Sequence, residues 1–133
     1  MAPRFGLNGA TTGDRVDVLA DIRVAGETGY RAVELRDTKI ERYLAAGGSL
    51  PRLRDALLAA DVDALSVNAL EDSTLRSGAA LHDMAERTRT LARWARALDC
   101  PFVVAVPSFL PAGGLDGGHV RMRTAAALRA SSA

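Results

Sequence analysis

The sequence predicts an α/β fold in which four parallel strands alternate with helices. Three observations predict it. Four short apolar or branched runs recur along the 133 residues. The segments between them place apolar residues at spacings of three and four, the period of one helix face. The strand starts lie roughly 30 to 40 residues apart, the length of a parallel crossover unit.

The first strand covers residues 4–8 and leads into a polar loop over residues 9–14. Val18, Leu19, Ile22 and Ala25 then give a buried stripe on a helix over residues 16–25, which Gly29 stops. The second strand covers residues 32–36. Ser49 caps the next helix, Pro51 sits in its first turn, and Leu50, Leu53, Leu57 and Ala60 line one face. The third strand covers residues 64–68. The longest helix runs over residues 80–98, with Leu81, Met84, Ala85, Thr88, Leu91, Ala95 and Leu98 inward. The fourth strand, residues 102–106, is the most apolar, the pattern of a parallel strand buried on both faces. From about residue 119 the chain is either poorly structured or begins a fourth helix.

Composition narrows the function classes. Lys and Arg total 17 against 16 Asp and Glu, a net charge of +1, which argues against nucleic-acid and membrane-surface binding. All the basic residues but Lys39 are arginines, scattered rather than clustered. The single cysteine, Cys100, forms no internal disulfide and suits a reducing cytoplasm. No stretch approaches the ~20 apolar residues of a membrane span. A cytoplasmic, single-domain protein is the expectation.

In parallel α/β folds ligands sit beyond the carboxyl ends of the strands. That rule selects Asn8, Glu34, Arg36, Asn68 and Ser108 as substrate-binding candidates, with Asp37 and Lys39 following strand two and Glu71 and Asp72 following strand three. Glu34 is the most informative, because a carboxylate inside an apolar strand needs partners or a polar cavity. Its competing reading is an ion pair with Arg36 or Arg4. Asn68 either holds a ligand hydroxyl or satisfies loop backbone, and Ser108 reads as a binding or turn residue.

The remaining features offer less. His82 and Glu86, four apart on a helix, read as a solvated face, and no metal-ligand spacing is present. His119 reads as an exposed loop residue. The loops at residues 9–13 and 113–118 lack a Walker lysine and a dinucleotide glycine pattern, so they read as flexible loops with at most a weak phosphate contact. Cys100 reads as buried packing away from the ligand end.

Taken in order, these segments resemble the sugar phosphate isomerase/epimerase family with the xylose-isomerase-like TIM barrel. The resemblance rests on Phe5-Gly6-Leu7-Asn8, on Gly29-Tyr30-Arg31-Ala32-Val33-Glu34-Leu35, and on Leu65-Ser66-Val67-Asn68. It continues through Ala97-Leu98-Asp99-Cys100-Pro101-Phe102-Val103-Val104-Ala105-Val106-Pro107. It implies one partial domain over residues 1–133, the (βα)4 N-terminal half of a barrel that takes about 250 residues when complete.

The family chemistry it implies is metal-assisted proton transfer between adjacent carbons of a small sugar or polyol, using paired glutamates. The family's metal ligands come mostly from later strands. The expectation is therefore an isomerase/epimerase-like chain that is inactive as an isolated half. No cofactor is expected in this chain, and a divalent metal (Mn, Mg, Co or Zn) only if the barrel is completed. The alternatives are a non-catalytic sugar-binding or interaction module, or a truncated gene product. An open four-strand sheet also exposes two edges, so a homodimer covering them is expected.

Overall fold

The computed structural model describes residues 5–132. Residue 4, placed by the sequence in the first strand, lies outside them. Strand β1 (Gly6–Asn8) is followed by helix α1 (Val18–Glu27), strand β2 (Ala32–Arg36), helix α2 (Asp37–Ala45) and helix α3 (Leu50–Ala59). Strand β3 (Asp63–Leu70), helix α4 (Gly78–Ala97), strand β4 (Val103–Ala105) and helix α5 (Gly117–Ser132) complete the order. All neighbouring strands pair in parallel, in the sheet order β1-β2-β3-β4.

Local chemistry explains the boundaries. The Asp17 carboxylate accepts the Ala20 amide at 2.8 Å and starts α1, and Ser49 accepts the Arg52 amide to start α3. After α1 the chain turns through Gly29, whose φ of +83° suits glycine. The core joins both layers. Val33, Leu35, Ala64 and Val67 from the strands pack with Val18, Ile22, Ala25, Leu53, Leu57, Met84, Leu91 and Ala95 from the helices.

The structure adds one element and corrects three expectations. Residues 37–45, for which the sequence predicts no element, form a helix of their own, α2, that carries Asp37 and Lys39. Leu19 is exposed on α1 rather than part of its buried stripe. Strand β4 is half-buried rather than enclosed, because among the described residues only β3 pairs with it. The glycine loop ends early: Gly117 and Gly118 open α5, where Asp116 Oδ1 accepts the amides of Gly118 at 2.8 Å and His119 at 3.1 Å.

Candidate functional site

Strand alternation sends Val33 and Leu35 into the core and Glu34 and Arg36 to the opposite, open face of the sheet. Asn8 lies beside Glu34 in the β1–β2 register. On β3 the register slips by one residue after Ala64, so that Glu34 faces Ser66 and Arg36 faces Asn68. Leu65 is the extra residue of this bulge. Without it Val67, now fully buried, would oppose Arg36 instead of Leu35.

The result is a hydrogen-bonded relay across two strands. Ser66 Oγ donates to Glu34 Oε2 at 2.7 Å, and Asn68 Nδ2 donates to Glu34 Oε1 at 2.6 Å. Arg36 Nη1 in turn donates to Asn68 Oδ1 at 3.0 Å. Both Glu34 oxygens therefore have donors, and the Asn68 amide is oriented by its two neighbours. Glu34 meets Arg36 only through Asn68, so the competing reading of a direct ion pair with Arg36 does not hold. Its pairing with Arg4 lies outside the described residues.

Asn8 and Ser108 do different work. Asn8 Oδ1 accepts the Ala10 amide at 2.8 Å and holds the turn after β1. Ser108 Oγ accepts the amides of Thr74 at 3.1 Å and Leu75 at 2.9 Å, and its own amide donates to Thr74 Oγ1 at 3.0 Å. It clamps the loop after β4 to the loop after β3. Of the five candidates, the structure joins Glu34, Arg36 and Asn68 and adds Ser66, which alternation puts on the face of Asn68 but which only the shifted register sets opposite Glu34.

Beside this relay lies a second network that the sequence did not show. Lys39 Nζ donates to Gly9 O at 2.8 Å, Thr12 Oγ1 at 2.7 Å and Asp21 Oδ2 at 2.8 Å, which satisfies all three of its protons. Thr12 Oγ1 donates to Asp21 Oδ1 at 2.5 Å. This network makes the 9–13 loop a fixed element rather than a flexible one. The Gly9 amide is bonded to Glu34 O at 3.0 Å and the Gly13 amide to Ala10 O at 3.2 Å, so neither is free for phosphate.

Outside the sheet, Arg87 on α4 pairs with Asp37 at 2.6 Å and with Glu41, and its guanidinium lies 5.3 Å from the Trp94 ring centre. Burial pulls this guanidinium down, but the bonds and charges of Asp37 and Glu41 outweigh it and raise its pKa. His82 is exposed, and His119 contacts Asp116, whose carboxyl that contact holds below its usual range. Cys100 is buried at the far end of the sheet, and burial pushes its thiol up.

The overall geometry has clear relatives among solved structures. The IOLI protein with a binding zinc atom superposes with a TM-score of 0.88 at 21% identity, over 98% of this chain and 46% of that one. The fold is half of a xylose isomerase-like TIM barrel. The family 2 AP endonuclease of Brucella melitensis matches at a TM-score of 0.69 and 19% identity, over 98% of this chain and 50% of that one. A xylose isomerase domain protein from Alicyclobacillus acidocaldarius matches at 0.67 and 19%, over 98% and 45%. The chain thus spans about half the length of these proteins. No family model and no curated protein matches the sequence.

A divalent metal is implied by the fold family, and the donors present do not fit one. The relay holds a single carboxylate, with both oxygens already bonded and a guanidinium nearby. Among the described residues no group of three or more His, Cys, Asp or Glu side chains could hold a metal ion. Among them, too, no helix is long and apolar enough to cross a membrane.

Proposed function

We propose that this chain is an isomerase/epimerase-like half barrel. It binds a small sugar or polyol on the open sheet face and does not turn it over alone. One observation carries the reading: Ser66, Glu34, Asn68 and Arg36 form a continuous relay that runs from the middle of β2 and β3 toward their carboxyl ends. A fixed carboxylate, amide and guanidinium offer acceptors and donors to the hydroxyls of such a ligand. Moving a proton between adjacent carbons calls for a base and an acid, and the relay supplies one carboxylate. Any metal of a completed barrel would take its ligands from outside these residues. The near balance of charge supports a small-molecule ligand over a nucleic acid, and the lone cysteine supports a reducing compartment.

The test is an amide NMR titration of the chain with sugars, sugar phosphates and polyols, with and without Mn²⁺, Co²⁺, Mg²⁺ or Zn²⁺. Shifts are expected at Glu34, Arg36 and Asn68, and Glu34→Ala should abolish them. Incubation in D₂O should show no exchange of carbon-bound substrate protons. Turnover by the chain alone, or a panel without any shift, overturns the reading.

A further inference from the structure

We propose that Arg36 makes the relay a site for a polyhydroxy carboxylate, a sugar acid, rather than for a neutral sugar or polyol. The proposal rests on the relay being the ligand site and names the class of ligand it takes. A guanidinium drawn out of water is ordinarily met by a carboxylate. Four arginines among the described residues are half-buried: Arg36, Arg76, Arg87 and Arg123. Arg76 pairs with Asp72 at 2.8 Å, and Arg87 pairs with Asp37 at 2.6 Å and with Glu41. Arg123, on α5, reaches Leu75 O at 3.5 Å. Of these four only Arg36 stands on the open sheet face with the relay, and among the described residues no carboxylate pairs with it. Glu34 reaches it only through the Asn68 amide.

The guanidinium is already set for an anion. Nη1 donates to Asn68 Oδ1 at 3.0 Å. The other edge, Nε with Nη2, is the side-on fork that takes both oxygens of a carboxylate. Among the described residues nothing bonds to that edge, and no buried side-chain nitrogen or oxygen lacks a partner, so the edge is open to solvent. The stem of the side chain passes beside Gly9, where a Cβ would stand 3.5 Å from Arg36 Cγ. Stem and head are thus both held before a ligand arrives, which lowers the cost of ordering them.

The charge count favours a carboxylate over a phosphate. Glu34 and Arg36 cancel, so a bound carboxylate leaves one negative charge and a phosphate monoester leaves about two. Among the described residues beside the relay no second cation is to hand. Lys39 is spent on Asp21, Gly9 O and Thr12, and Arg87 on Asp37 and Glu41.

The experiment is an NMR titration of the full chain with aldonates and with the alditols that differ from them only at the terminal carbon. Gluconate is paired with glucitol and galactonate with galactitol, and glucitol 6-phosphate forms a third arm. An aldonate is expected to bind about tenfold tighter than its alditol. It should also move the Arg36 Nε–H resonance, which is read in the parent chain and so needs no variant to fold. In Arg36→Gln the aldonate should keep no advantage over its alditol. Equal binding of aldonate and alditol by the parent chain overturns this proposal and leaves the relay as the ligand site. No binding in any arm overturns both. Tighter binding of glucitol 6-phosphate than of the aldonates, or an aldonate advantage that survives in Arg36→Gln, also overturns it.

Discussion

Lys39 and Asp21 form an enclosed ion pair, Nζ to Oδ2 at 2.8 Å, with neither side chain more than 1% exposed. The pair joins α2 to α1, and the same ammonium holds the loop after β1 through Gly9 O and Thr12 Oγ1. That loop borders the Glu34 strand, because the Gly9 amide bonds Glu34 O. The only lysine of the chain is thus a structural strut beside the candidate site and presents no charge to a ligand.

Removing one partner strands a buried charge. Lys39→Met and Asp21→Leu are each expected to cost about 3–5 kcal/mol. Replacing both should cost less than the sum by about 0.5–3 kcal/mol, since the remaining charge is gone. Urea denaturation of the four proteins checks this, and strict additivity would remove the pair from the account.

Glu34→Gln tests the relay. Glutamine offers one acceptor oxygen where the carboxylate serves both Ser66 and Asn68, so one donor loses its partner. A loss of about 1–2 kcal/mol is expected. Ser66→Ala in the Glu34→Gln background should then cost little further. If Ser66→Ala costs the same in both backgrounds, the two side chains are not coupled.

Gly9→Ala tests the close approach of loop and strand. A Cβ there would stand 2.8 Å from Glu34 O and 3.0 Å from Asp21 Oδ2. The first is backbone and the second is held by Lys39 and Thr12, so neither can yield cheaply. About 1–3 kcal/mol of destabilisation is expected, read as a lower urea midpoint. Gly13→Ala has open space around its Cβ and loses stability through its φ of +79° alone.

What the sequence made legible follows from how local each feature is. The sequence marked Glu34 and Arg36 as ligand-side candidates on β2, and the pleat of the strand accordingly turns them away from the buried Val33 and Leu35. Ser49 announced α3 through its own cap. Helix α2 stayed hidden because it starts directly from β2, its N-cap residue Arg36 makes no capping side-chain bond, and its charges are neutralised by distant partners. Asp37 finds Arg87, and Lys39 finds Asp21. Ser66 joined the site through a bulge at Leu65, a register that only the pairing of two strands defines. Asn8 and Ser108 were rightly placed at strand ends, but their side chains serve turns and loops whose shapes arise from the fold.

Cys100 gives a pH-dependent signature. Burial raises its folded pKa above the unfolded value of about 8.5, so the folded chain holds the thiol proton more tightly than the unfolded one. Stability linked to this group is complete below about pH 8.5 and falls as pH rises toward the folded value. Cys100→Ala removes the titration, so the stability of the parent chain minus that of the variant should shrink between pH 8 and pH 10. Urea denaturation of both proteins under reducing conditions measures the difference and cancels the other titrating groups. Parallel profiles would mean that the thiol titrates alike in both states, and would contradict its burial behind Phe102 O, 3.4 Å from the sulfur.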